Sequence, residues 1–303
     1  MCPRDKFEHS FETMSMECFE RIVDNVSDFG VKSMAFGIFG EPFLDVHLES
    51  RLKFVKSKFP DMQISMNTTA NLLEGKKIDI VCEYADIIKI SNYGFTKETY
   101  EKIHRGSIKF ESVKRNIDIF LNLEKRPFAI MAFLDLPQNH DELDIWKKYY
   151  YPKCNRLDIW KPHNWGGEGV IYNNDNIIST TCKRVLKLND LTFHTDGSVS
   201  ICCLDFNRKL IIGNVMKSSI IDMIKGEKYR QLQEIHKNNL LLKSNLICRD
   251  CDYLKDRSDA LIYSSSDKMK IGESSMQILC SFFVFEFKME LPYKRCKIHS
   301  KKR

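Results

Sequence analysis

Residues 31–45 read VKSMAFGIFGEPFLD. The first nine form an apolar run of strand length, which stops on Gly40, Glu41 and Pro42. The same alternation repeats around it. Upstream, Phe19, Ile22, Val23, Val26 and Phe29 recur at three-to-four spacing, and Gly30 ends the expected helix. Downstream, Leu48, Leu52, Val55 and Phe59 mark a helix that ends near Pro60, followed by QISMNTT (63–69) as a strand. Ile78, Val81 and Cys82 mark a short helix before the strand DIIKIS (86–91). Val113, Ile117, Phe120 and Leu121 mark another before PFAIMAFLDL (127–136). DELDIWKKYYY (141–151) is the last helix and NRLDIW (155–160) the last strand. Five helix–strand pairs in series imply right-handed crossovers and a parallel sheet. The series opens on a helix where a strand should come first.

The expected fold class is therefore α/β, a partial (β/α)6 TIM-like barrel lacking its first strand, over residues 1–165. A small cysteine-rich unit follows at 178–257, and an irregular basic tail at 258–303. KPHNWGGEGVIYNNDN (161–176) is rich in Gly and Asn and reads as loop. LTFHTDGSVSICC (191–203) reads as strand–Asp-Gly–strand. Residues 218–239 read as a helical segment with Ile220, Ile221, Ile224, Leu232 and Ile235 as its apolar positions.

The 303 residues are 43% hydrophobic and 29% charged, a composition that folds. No apolar run reaches the roughly 18–20 residues of a membrane span, and MCPRDKFEHS has no apolar core of a secretory signal. A cytoplasmic protein is expected, with no membrane or nucleic-acid partner. The last ten residues, KRCKIHSKKR, hold six basic residues and no acid, so the net charge of +6 is all theirs. That end is read as a solvated tail, with a polyanion-binding arm as the alternative.

Eleven cysteines in a reducing compartment call for a reason other than disulfides. Cys18, Cys82 and Cys154 fit as small core residues. Cys182, Cys202, Cys248 and Cys251 differ: the last two form C-x-x-C, and Cys202 follows the Asp-Gly turn. Four thiolates in a short loop-rich segment suit a zinc ion or a [4Fe–4S] cluster equally well. Cys203 is an adjacent spare.

The spacing Cys182-x14-Gly197-x4-Cys202, followed by Cys248-x-x-Cys251, resembles the auxiliary-cluster module of radical SAM enzymes in its short "twitch" form of the SPASM domain. The full pattern has a further cysteine where Arg257 stands here, which implies one auxiliary cluster. IIGNVMKSSIIDMIKGEKYRQLQ (211–233) is similar to the GN…S…I…G…YR segment of that module. FGIFGEPFLD resembles the family's GGEP motif, with Phe39 in place of the first glycine. ISMNTTANLL resembles its "TNG" segment, IKISNYGFTKETYEKIHRG its "SLDG…YE.IRG" stretch, and HNWGGE a further segment. The likeness runs over roughly residues 1–257.

This resemblance implies that Gly40, Glu41, Pro42, Asn67 and Ser91 contact S-adenosylmethionine. It implies that Cys182, Cys202, Cys248 and Cys251 hold an auxiliary [4Fe–4S] cluster. The family's catalytic cluster hangs on C-x-x-x-C-x-x-C, the third cysteine often followed by Pro-Arg. Cys2 in MCPR matches that third cysteine, and the first two are absent. The catalytic cluster is thus incomplete as written, and an N-terminally truncated copy is the expectation. The implied activity of a full-length form is reductive cleavage of S-adenosylmethionine to a 5′-deoxyadenosyl radical, which abstracts hydrogen from a peptide or sugar-like substrate. A flavodoxin or ferredoxin would supply the electron. Two readings from other classes stay open. One is a non-catalytic, degenerate fragment retaining a [4Fe–4S] or zinc module. The other is an ordinary barrel enzyme using Glu41, His163 or His194 as acid or base. Trp160 and Trp165 either shape a pocket or merely cover the sheet.

Overall fold

The computed structural model describes residues 3–10, 12–26, 31–168, 177, 179–188, 191–255 and 261–265. Cys2 and the basic end 294–303 lie outside them. Five strands pair in parallel in chain order: β1 (Ser33–Phe36), β2 (Gln63–Thr68), β3 (Ile87–Ser91), β4 (Phe128–Leu134) and β5 (Arg156–Trp160). The helices between and before them are α1 (Met16–Val26), α2 (Leu48–Lys58), α3 (Lys76–Tyr84), α4 (Lys97–Ile103), α5 (Phe110–Leu121) and α6 (Leu143–Tyr150).

Successive strand residues point to opposite faces, and the two faces differ in chemistry. Ile64, Met66, Ile88, Ile90, Met131, Phe133, Leu157 and Ile159 join the main core, where the helices pack on them. The other face is largely polar. Asn67, Lys89, Ile130 and Arg156 share one register row; Ser91, Ala132, Asp158 and Ser264 share the next.

After α7 (Lys183–Lys187), the strands β6 (Thr192–Phe193), β7 (Ser198–Ser200) and β8 (Ile211–Asn214) form a second, antiparallel sheet. The turn between its first two strands is built as its sequence demands. Asp196 Oδ1 accepts the Ser198 N–H at 3.0 Å, and Gly197 takes φ +81°. α8 (Ile220–Lys225) and α9 (Glu227–Lys237) cover this sheet.

Four expectations change. The strand expected over 31–39 shortens to Ser33–Phe36, because Gly37 turns the chain with φ +87°. The helix over 218–239 is two helices, broken at Gly226. α4 was not anticipated; Thr96 caps it by accepting the Thr99 N–H, and Tyr100 is its one buried residue. The region read as an irregular tail contributes β9 (Leu261–Ser264), which runs antiparallel along β5. The sheet is therefore mixed, mostly parallel, with six strands. Among the described residues no helix is long and apolar enough to cross a membrane.

α1 sits between the two sheets and is buried on two sides. Phe19 and Val23 enter the main core, while Cys18, Ile22 and Val26 enter the core of the cysteine-bearing unit.

Candidate functional site

Parallel sheets place ligands beyond the carboxyl ends of their strands. Here a cavity of about 750 Å³ lies there, walled on one side by the sheet and on the other by Arg184, residues 191–195, Cys203, Leu204 and Arg208. Gly40, Glu41, Pro42, Asn67 and Ser91 all line it, as do Trp160 and Trp165.

The loop after β1 is held by two devices. Gly37 passes so close to β2 that a Cβ there would overlap the carbonyl oxygen of Asn67, and its positive φ suits glycine alone. The Glu41 carboxylate then staples the loop to the end of β2. It accepts from Thr68 Oγ1 at 2.7 Å, Thr69 Oγ1 at 3.0 Å and the Thr69 N–H at 3.1 Å. With those bonds made, Glu41 shapes the loop rather than offering a free acid. Gly40 is exposed, has no positive φ, and has open space where a Cβ would go. The glycine that the geometry requires is thus Gly37, which sequence reasoning passed over.

Phe39, where the resemblance expects glycine, lies in an aromatic cluster. Its ring stacks on His194 from the second sheet, centroids 5.9 Å apart and 8° from parallel. It also meets Trp165 and Phe7, both at 6.5 Å, and Phe7 stacks on Phe206 at 5.2 Å. The departure joins the sheet, the N-terminal segment and the cysteine-bearing unit around the cavity. The N-terminal segment is tied down further. His9 Nε2 lies 2.8 Å from the Phe206 carbonyl, and the Glu8 N–H donates to Asn207 Oδ1 at 3.0 Å.

Cys182, Cys202, Cys248 and Cys251 are free, half-buried thiols, and Cys202 precedes the cavity-lining Cys203 in the chain. Their fields reach one another: Cys248 acts on Cys202 and Cys251, and Cys182 acts on Cys248 and Cys251. Burial pushes the Cys248 thiol up to about 12, with Cys182 and Asp205 adding to the rise. Burial likewise raises Cys251, and raises Cys202 well above the usual range although Arg184 pulls it back. Thiolates here are costly without a cationic group at their centre, which is the role iron or zinc plays. Among the described residues no three His, Cys, Asp or Glu side chains are grouped tightly enough to hold one metal ion. Four thiols linked through one another's fields suit a [4Fe–4S] cluster or a zinc ion by their donor chemistry alone.

The loops that carry these thiols are fixed from outside. His236 Nδ1 accepts the Cys182 N–H at 3.0 Å. Asn164 clamps the C-x-x-C loop: it accepts the Asp252 N–H at 3.1 Å and donates to the Asp250 carbonyl at 2.8 Å. Buried Asp252 returns the contact by accepting the Asn164 N–H at 2.9 Å. Gly167 lies against the same loop, where a Cβ would come within 2.6 Å of the Ile247 carbonyl. His236 and Asn164 carried no spacing signal of their own. His194 and Lys89 also line the cavity, and sequence reasoning gave Lys89 no role. Cys203 faces the cavity, 3.2 Å from Arg184 Nη1.

Residues 182–252 match the family model of SPASM, an iron–sulfur cluster-binding domain. A search of curated proteins finds no significant match. Among solved structures, the fold is similar to BtrN in complex with AdoMet and 2-DOIA (TM-score 0.54, 17% identity, 83% of this chain and 85% of that one). It is similar to anSMEcpe with bound AdoMet and the Cp18Cys peptide (TM-score 0.58, 17% identity, 92% and 90%). It also resembles Streptococcus suis SuiB bound to its precursor peptide SuiA (TM-score 0.59, 12% identity, 81% and 64%). The chain thus has the fold of radical SAM enzymes, and its residues 182–252 are an iron–sulfur cluster-binding domain of the SPASM family.

Proposed function

We propose that this chain is a radical S-adenosylmethionine oxidoreductase-like protein, built as a partial (β/α)6 barrel with one auxiliary [4Fe–4S] cluster in a twitch-like unit. The observation that carries this reading is the cavity itself, lined both by the strand ends that bear Asn67 and Ser91 and by Arg184, His194 and Cys203 of the cysteine-bearing unit. A molecule there is within reach of both halves.

In this reading Cys182, Cys202, Cys248 and Cys251 hold the cluster, and His236 and Asn164 keep their loops in place. Gly37 and Glu41 set the loop whose residues Gly40 and Pro42, with Asn67 and Ser91, receive S-adenosylmethionine. Cys2, the candidate ligand of the catalytic cluster, lies outside the described residues. When bound, the cofactor and clusters supply hydrogen-atom abstraction and electron transfer. The chain's own contribution is enclosure: Phe39, Trp165 and His194 form an apolar wall that keeps water from a reactive substrate. The relatives' ligands point to a peptide or a small sugar-like molecule as substrate. A flavodoxin or ferredoxin is the reductant, and the compartment is the cytoplasm.

The test is an anaerobic count of iron, sulfide and zinc with an assay for 5′-deoxyadenosine. About four irons per chain, lost on replacing Cys202 and Cys251 by serine, are expected for the auxiliary site. Zinc in their place would overturn the iron–sulfur assignment. Iron without S-adenosylmethionine binding or cleavage, in a form that carries all three catalytic-loop cysteines, would leave a metal-binding module and remove the radical chemistry.

A further inference from the structure

The polar face of the sheet carries more charge than any step above uses. Lys89 lines the cavity from the middle of β3. Arg156 and Asp158 lie nearby on β5, almost wholly buried, and pair at 3.0 Å. The remaining Asp158 oxygen accepts from Ser264 Oγ at 3.1 Å. Two cations and one anion give these three residues a formal charge of +1; burial works against the charge on Lys89, and Asp158 supports it. Asp158 is already engaged, and no hydrogen bond to Lys89 Nζ is formed among the described residues.

Two further residues that line the same cavity carry an unsatisfied group. Trp160 Nε1 is buried without a hydrogen-bond partner among the described residues, in a residue 7% exposed. An indole N–H can only donate, so it calls for an acceptor. The Lys89 ammonium lies 5.7 Å from the centre of that ring. On the facing wall, His194 Nε2 is likewise buried and unpartnered, in a residue 5% exposed. A buried N–H without an acceptor is costly, and the half-buried ammonium beside it gains from a counter-charge. A cation and a donor on one wall are together completed by an oxyanion, which accepts from both and cancels the surplus charge.

Building on the function proposed above, we propose that Lys89 and Trp160 form an anchoring site for an oxyanion group of the substrate, a carboxylate or a phosphoryl group. The group would sit on the floor of the cavity, leaving the rest of the substrate to extend along the Phe39–His194 wall. Substrates of this class include a peptide segment presenting an acidic side chain and a sugar acid or sugar phosphate. The site adjoins the expected cofactor contacts, since Asn67 is the register partner of Lys89 on β2 and Ser91 lies two residues further along β3, so the two must be separated by titration.

The test is anaerobic isothermal titration of the cluster-loaded chain with glutarate, its neutral diamide glutaramide, and inorganic phosphate. Glutarate should bind at least tenfold more tightly than glutaramide, and Lys89→Met should abolish that preference with the iron content unchanged. Trp160→Phe, which keeps the ring and removes the N–H, should weaken glutarate severalfold and serves if the lysine variant does not fold. A stronger response to phosphate than to glutarate would assign the phosphoryl class; the reverse would assign the carboxylate. Equal binding of glutarate and glutaramide, or a preference that survives Lys89→Met, would overturn the proposal. So would loss of glutarate binding under saturating S-adenosylmethionine, since Lys89 would then serve the cofactor's own carboxylate. An intact preference in a protein that binds no S-adenosylmethionine would support the anion site and count against the radical enzyme.

Discussion

His236 Nδ1 accepts the backbone N–H of Cys182 at 3.0 Å and lies 3.2 Å from Thr181 Oγ1. A backbone N–H can only donate, so Nδ1 carries the lone pair and the ring proton sits on Nε2. A helix near the end of the domain thereby sets the position of its first cysteine. His236→Ala should lower the iron bound per chain by about half or more and cost about 1–3 kcal/mol, the penalty of an orphaned buried donor. His236→Asn, which can place an amide oxygen near Nδ1, should recover part of the iron. Equal loss in both variants would reduce His236 to packing. Iron analysis with the charge-transfer absorbance of the cluster distinguishes the two.

The loop after β1 predicts a contrast between two glycines. Gly37→Ala forces a side chain into left-handed backbone and against the Asn67 carbonyl, and should cost about 2–4 kcal/mol. Gly40→Ala meets open space at an ordinary φ, and should change stability by no more than about 0.5 kcal/mol. Denaturant midpoints of the two variants check this directly.

Asn164 is expected to be critical beyond its size. Its side chain satisfies the N–H groups of Gly167 and Asp252 and the carbonyl of Asp250. Asn164→Ala leaves those groups without it and should destabilise by about 2–4 kcal/mol, with loss of iron, because the loop carrying Cys248 and Cys251 is released. Retention of full iron with wild-type stability would show that the clamp is redundant.

His104 gives a pH signature. Burial alone holds it neutral, lowering its pKa from 6.5 to about 4. The unfolded chain therefore takes up this proton first as pH falls. The stability tied to the neutral ring is intact above about 6.5 and lost progressively as pH drops toward 4, by up to about 1.4 kcal/mol per pH unit. Replacing it with phenylalanine, which keeps the stacking on Tyr100 (centroids 4.3 Å apart), should flatten that part of the stability–pH curve. Thermal unfolding measured between pH 4 and 7 tests the slope.

What could be read from sequence divides along physical lines. The parallel strands were legible because each is a short apolar run between helical periods, as in PFAIMAFLDL. The Asp-Gly turn and the cysteine spacing were legible because few residue types satisfy such geometry. α4 was hidden because it buries one side chain, Tyr100, and so shows no apolar stripe. β9 was hidden in a segment whose pairing partner lies about a hundred residues away. Gly37 escaped because its need arises from the nearness of β2, which local pattern does not report. Lys89 escaped because a lysine in a buried strand has no distinguishing neighbours; its meaning comes from Asp158, Arg156 and Trp160 on another strand.

α1 has one further consequence. A helix wedged between two cores serves as a keel common to both, and neither core is closed without it. A boundary drawn between sheet and cysteine unit would be one of ancestry and not of cooperativity. Residues 182–252 expressed alone would expose the surface that Cys18, Ile22 and Val26 now cover, and should fail to melt as an independent unit. Changes in the metal-bearing half should in turn be felt as rigidity in the half that takes the substrate, because one rod is gripped at both flanks.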